Sequence, residues 1–104
     1  MALRPLTEEE RAAARDKAKR SRQERAEAKL ALKKREVSIE EFLDRADANE
    51  ALQRIRVEDM LKSIPSIGEI RAASIMRELK IAPSRRLRGL GAHQRSSLIT
   101  YLEG

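Results

Sequence analysis

The chain has 104 residues, enough for one domain and too few for two independent cores. Its 23 lysines and arginines against 17 acidic residues give a formal charge of +6 and a pI near 10.2, which favours an anionic partner, nucleic acid before an acidic membrane surface. The absence of cysteine excludes disulfide staples, thiolate zinc sites and cysteine nucleophiles.

The opening "MALRPLTEEERAAA" holds no uninterrupted apolar stretch that would act as a signal peptide, and nothing further along approaches the roughly 20 apolar residues of a membrane span. A cytoplasmic protein without a membrane partner is expected. Thr7-x-x-Glu10 reads as a capping box and starts the first helix. Between Arg11 and Lys29 the only apolar side chains are alanines, which anchor poorly in a core. At 100° per residue, Arg11, Arg15, Lys19, Arg22, Arg25, Lys29 and Lys33 fall within about 120° of one another. Most of the acidic residues fall on the opposite side. A one-sided basic stripe of that reach suits a duplex backbone, although a solvated face supported by i,i+4 ion pairs would look the same. The face opposite lacks the Leu, Phe or Trp of a membrane-surface helix.

Charge is segregated along the chain. Residues 1–35 carry a net +6, residues 36–52 a net −5 and residues 53–104 a net +5. Within the acidic stretch Ser38-x-x-Glu41 is a second capping box, with Val37 and Phe42 placed for an apolar staple. Ile39, Phe42, Leu43 and Ala46 then repeat at helical spacing, as do Val57, Met60, Leu61 and Ile64, and later Ala72, Ile75, Met76 and Leu79. A last helix is expected around Ala92 to Leu102, with Leu98, Tyr101 and Leu102 facing inward. Strand signals are nearly absent. The pattern predicts an all-α chain: a basic N-terminal helix over residues 1–36 and a compact unit of short helices over 37–104.

Two stretches carry the functional reading. In "SIPSIGEIRAASIM", Ser63 to Met76, Pro65 stops one helix and another restarts near Gly68. Apolar-Pro-x-apolar-Gly-x-apolar-x-Ala resembles the hairpin of helix-hairpin-helix DNA binders. Gly68 would let a phosphate approach the backbone, the following helix offers unpaired N–H groups, and Arg71 adds a side chain one turn in. An ordinary turn between two helices would need the same Pro65 and Gly68 for geometry alone. The second stretch, "IAPSRRLRGLGAHQR", holds Arg85, Arg86, Arg88 and Arg95 and no acidic residue. The alternative for these is a basic surface loop whose arginines pair with Glu78 or with the acidic 36–52 segment.

The run "RIRVEDMLKSIPSIGEIRAASIMRELKIAPSRRLRGLGAHQRSSLI" and the opening "MALRPLTEEERAAA" are similar to the actinobacterial integration host factor family. Most specific is "RRLRGLG" following "IPSIGEIRA" at this distance. The resemblance implies a long N-terminal helix on a helix-two-turns-helix domain. It also implies binding, bending and compaction of double-stranded DNA with little sequence preference, a place in the nucleoid, and recombinases acting on the same DNA as further partners. By matching position, Pro65, Gly68 and Arg71 belong to the phosphate-receiving hairpin. Arg85, Arg86 and Arg88 match the family's DNA-gripping arginines, with Gly89 and Gly91 aiming them and starting the last helix. The chain departs from the pattern at Ser66 and Glu69. Ser66-x-x-Glu69 itself reads as a capping box, and Glu69 puts an anion where phosphate would approach.

No enzyme is expected, nor a metal, a cofactor or a small-molecule substrate. His93 is the only histidine and has no nucleophile or base at motif spacing around it. Glycosylases sharing the helix-two-turns-helix module carry a separate catalytic domain and an N-terminal proline, whereas this chain begins Met1-Ala2-Leu3. The competing expectation is an RNA-duplex or ribosome-associated protein. Phe42 and Tyr101, both at expected core positions, leave no exposed aromatic platform for single-strand recognition.

Overall fold

The structure, a computed structural model, describes residues 4–103. Six α-helices follow in order: α1 (Glu8–Lys33), α2 (Ile39–Asp47), α3 (Glu50–Gln53), α4 (Val57–Ser63), α5 (Glu69–Glu78) and α6 (Ala92–Glu103), with one turn of 3-10 helix at Leu87–Gly89. No strand occurs among the described residues. The expected capping boxes at Thr7 and Ser38 both form, each hydroxyl accepting from the N3 amide while the N3 glutamate reaches back to the cap N–H. Glu10 is further held by Arg4, whose guanidinium makes two 2.9 Å hydrogen bonds to it. The short α3 had no apolar periodicity to announce it. Asn49 starts it, its side-chain oxygen accepting from the Ala51 and Leu52 amides.

The core is aliphatic around one ring. Phe42, Val57, Met60, Leu61, Ala72 and Leu98 are fully buried, and Ile75, Met76 and Leu43 nearly so. They come from α2, α4, α5 and α6, and Ile55, Ile67, Ile81 and Leu87 from the connections close the gaps between those helices. Ion pairing clamps two of the layers. Arg95 on α6 reaches Asp44 at 2.6 Å and Asp47 at 2.8 Å on α2, so this arginine does pair with the acidic segment.

Helix α1 is anchored at one end. Among its described residues only Ala28 and Leu32 are buried. At 1.5 Å per residue its 26 residues extend about 39 Å, and α1 faces α3 from Ala14 onward. The radius of gyration, 16.1 Å, exceeds the ~13 Å of a compact chain of this length, as a projecting helix requires. Both α1 and α5 close with the same hydrogen-bonded cap. Arg35 and Lys80 take left-handed backbone (φ 58° and 59°), and the Glu36 and Ile81 amides return to Ala31 and Met76 carbonyls.

Two expectations are corrected. Tyr101 does not face inward; it is 41% exposed, while Leu98 fills the core from the same helix. Ser66 does not cap α5, whose N-cap is Gly68, and no side chain caps that helix. Ser66 is instead the third residue of a tight turn, with the Ile67 amide bonding the Ile64 carbonyl at 3.1 Å, Pro65 second and Ser66 at φ 71°. That is the type II pattern, which demands positive φ at the third position and so removes Ser66 from capping duty.

Candidate nucleic-acid interface

The arginine turn is not a free loop. Residues 85–87 lie antiparallel to residues 55–57 in a single bridge, the Val57 amide donating to the Arg85 carbonyl at 3.0 Å and the Leu87 amide to the Ile55 carbonyl at 2.9 Å. The sequence underneath is a local alternation: Arg54-Ile55-Arg56-Val57 on one side and Arg86-Leu87-Arg88 on the other. Ile55, Val57 and Leu87 are buried while Arg54, Arg56, Arg86 and Arg88 are exposed, the period-two signature of paired extended backbone. Arg54 and Arg56 therefore join the surface, although a reading built on helical periodicity passes over them.

The three arginines singled out in the turn differ in their surroundings. Arg88 is exposed and borders a depression shared with Gln53, Asp47 and Arg95. Arg86 is exposed, and one guanidinium N–H donates to the Arg54 carbonyl at 2.7 Å, which orients the side chain and leaves other donors outward. Arg85 is turned partly inward. Its guanidinium donates to the Gly89 carbonyl at 3.0 Å, and its Nε is buried without a hydrogen-bond partner. A Cβ at Gly89 would stand 3.0 Å from the Arg85 Cδ, so the glycine makes room for this arginine to fold over the turn. Gly91 precedes α6, its amide donating to the Gln94 side chain and its carbonyl accepting from the Arg95 amide. Among the described residues none of Arg56, Arg85, Arg86 and Arg88 forms an ion pair with a carboxylate.

The hairpin lies at the other end of α4. Its first residue, Val57, is bonded to the arginine turn, whereas Pro65 and Ser66 follow its last residue, Ser63. The helix and its flanks separate the two features by about 12 Å. At the hairpin the α5 amides have no capping side chain, and the first intrahelical bond runs from Ala72 to Gly68. Gly68 has φ −94° and nothing within 4 Å of an added Cβ, so neither the backbone nor the packing requires glycine there. What the missing side chain provides is an uncovered backbone at a helix start, where N–H groups and the helix dipole favour an anion. Pro65 is half-buried in the turn, Arg71 is exposed, and Glu69 is exposed beside Gly68.

On α1, Arg15, Lys19 and Arg22 are exposed, and Arg11 bends back to donate to the Leu6 carbonyl. The middle of α1 faces α3 across an open cleft in which Lys17, Arg20, Arg22, Arg25 and Arg54 outnumber the acidic Glu24 and Glu50. Arg54 links the two basic surfaces: its side chain borders this cleft while its carbonyl holds Arg86. Its pairing with Glu50, at 3.5 Å between exposed groups, is weak and yields readily.

Residues 32–102 match the family described as the S13-like H2TH domain. The chain is 46% identical over 99 residues to the integration host factor of Mycolicibacterium smegmatis, covering 95% of this chain and 94% of that one. It is likewise 46% identical over 98 residues to the integration host factor of Streptomyces coelicolor, covering 94% and 92%. A solved structure of sIHF bound to an 8-base-pair palindromic DNA superposes with a TM-score of 0.80 at 40% identity, covering 83% of this chain and 97% of that one.

Proposed function

The chain belongs to the actinobacterial integration host factor family, and from that premise we propose that it binds double-stranded DNA through the phosphate backbone, with little sequence preference, and bends or compacts it in the nucleoid. The observation that carries this reading is the bridged pair of segments 54–57 and 86–88. It holds four exposed arginines on a backbone fixed by hydrogen bonds. A guanidinium on a fixed backbone loses less freedom on meeting a phosphate than one on a flexible loop.

Arg86 and Arg88, with Arg54 and Arg56, grip one stretch of phosphates. Arg85 acts more through its hold on Gly89, stiffening the turn, than through a free guanidinium. Pro65, Ser66, Gly68 and Arg71 form the second contact, where open α5 amides meet a phosphate oxygen. Arg15, Lys19 and Arg22, with Arg11 at the far end, extend the contact along α1, so that residues 1–36 serve as a basic arm on the unit of residues 37–104. Surfaces that face different parts of one duplex bend it between them, and the same surfaces on two duplexes bridge them. The protein works by binding and not by catalysis. No helix among the described residues is long and apolar enough to cross a membrane. Recombinases acting on the same DNA would meet a duplex already curved.

Fluorescence anisotropy on a short mixed-sequence DNA duplex, titrated at several salt concentrations beside an RNA duplex of the same sequence, tests the reading. Tighter binding to DNA with a log–log slope of several units is expected, each neutralised phosphate contributing about 0.9. Arg86→Glu with Arg88→Glu removes most of the affinity while helicity by circular dichroism is retained. Preference for RNA, or full affinity in the double variant, overturns it.

A further inference from the structure

Beside the hairpin lies a recess that shares Pro65, Ser66 and Arg71 with the phosphate contact at Gly68 and extends beyond it to the ends of α1 and α6. It is lined by Arg35 from the end of α1, by Pro65, Ser66 and Arg71, and by Tyr101 and Glu103 from the last turn of α6, among others. Three features single it out. Arg35 and Arg71 are both exposed, and neither makes a side-chain hydrogen bond or ion pair among the described residues. Glu103 is an anion at the same recess, but it forms no ion pair with either arginine, and its carboxylate accepts the Ile39 amide at 3.1 Å. Tyr101, an aromatic ring 41% exposed, stands at the same recess.

Arg35 also occupies a position that backbone physics assigns to glycine. It is the left-handed residue of the cap that closes α1, at φ 58°, and a Cβ there is strained. Lys80 closes α5 in the same way, so the cap alone explains a basic residue near a helix end. Only Arg35 opens onto a concavity with a second unpaired arginine and an aromatic face. Two guanidiniums beside a ring match a nucleotide unit: phosphate for the charges, deoxyribose or base for the ring.

Resting on the DNA-binding reading above, we infer that this recess takes the phosphate next to the one at the Gly68 amides, with Arg35 and Arg71 on its oxygens and Tyr101 against the adjoining sugar or base. The DNA contact at the hairpin thereby extends across the ends of α1 and α6, and Tyr101 adds a component that salt does not screen.

The chain has one tyrosine and no tryptophan, so its ultraviolet emission reports on Tyr101 alone. Titrating the full-length protein with a short DNA duplex should quench that emission and shield it from iodide, saturating at the stoichiometry seen by anisotropy, after absorbance correction with free tyrosine amide. Tyr101→Leu should weaken binding several-fold without changing the salt slope. Arg35→Gly should lower the slope by about 0.9 while raising the thermal midpoint, because it relieves the left-handed strain. Those opposite signs separate a binding role from a structural one. Bound duplex with unchanged tyrosine emission and iodide access overturns the assignment, as does an Arg35→Gly slope equal to that of the wild type. Absence of wild-type duplex binding by anisotropy would instead remove the parent reading.

Discussion

Gly68→Ala separates folding from binding at the hairpin. The added Cβ meets nothing within 4 Å, and φ −94° is open to any residue, so the native state accommodates alanine without movement. Alanine is a poorer N-cap than glycine, by roughly 0.5–1 kcal/mol, while the loss of unfolded-chain freedom works the other way by about 0.4–1 kcal/mol. Stability by urea unfolding should therefore stay within about 0.5 kcal/mol of wild type. Binding should not. A phosphate oxygen must come to about 2.9 Å from the amide nitrogens at the start of α5, and a methyl group beside them holds it off. A charge-assisted hydrogen bond contributes about 1.5–3 kcal/mol, so its loss raises Kd roughly ten- to 150-fold at constant salt. Unaltered stability together with unaltered Kd would refute the argument and return Gly68 to an ordinary turn. A fall in stability of 2 kcal/mol or more would refute it differently, by showing that the space beside Gly68 is not open.

Glu69→Lys, which exchanges an anion for a cation next to those amides, should tighten duplex binding several-fold and steepen the salt slope, as read by anisotropy. Removing residues 1–20 takes Arg11, Arg15 and Lys19 of the stripe, together with Arg4, Lys17 and Arg20, and spares Ala28 and Leu32, so the remaining chain should stay folded while its salt slope drops by about 2.7 for the three stripe residues and more if the others also touch phosphate; an unchanged slope would make the arm a solvated face. Ser66→Gly should stabilise the fold by about 0.5–1 kcal/mol in urea, because glycine accepts the positive φ of the turn without strain. The Arg4 guanidinium, followed by the Thr7 backbone and hydroxyl, holds the Glu10 carboxyl below the ordinary glutamate range. Its contribution to the start of α1 is present above that ordinary range and is lost as pH falls through the lowered value. An NMR titration should show this, and Arg4→Ala should move the midpoint back up.

Much of this architecture was legible wherever the side chain that starts a helix also makes its cap. Thr7 and Ser38 did so, the repeats from Ile39 and Val57 put α2 and α4 within a residue or two of their observed limits, and the restart expected near Gly68 did the same for the beginning of α5. The reading failed where two local demands met on one residue. Ser66 has the chemistry of an N-cap, but the turn that Pro65 begins needs its backbone at positive φ. Tyr101 was placed inward by its spacing from Leu98, yet three residues on a helix differ by 60° of rotation, and Leu98, with Ile99 and Leu102 at the edge, fills the available space. Arg54 and Arg56 were passed over because their alternation has a period of two and lasts four residues, too short to register beside long helical repeats. Their partner segment, Arg86 to Arg88, lies thirty residues away, so no local signal joins them. The arginines themselves were plain in the sequence. That Arg85 folds back over Gly89 while Arg86 and Arg88 point outward depends on the bridge, which only the folded chain displays.

The bond from Arg86 to the Arg54 carbonyl also has a consequence for many molecules on one DNA. With the turn held to the α3–α4 junction by this bond and by the two backbone bonds of the bridge, and the same junction bordering the cleft under α1, hydrogen bonding restrains the angle between the two basic surfaces. Each molecule would then impose nearly the same curvature in the same direction. Copies spaced at whole multiples of the ~10.5-base-pair helical repeat add their bends into a planar arc, and copies half a repeat out of phase cancel to a zigzag. Occupancy and spacing, rather than base sequence, would set the path of the DNA.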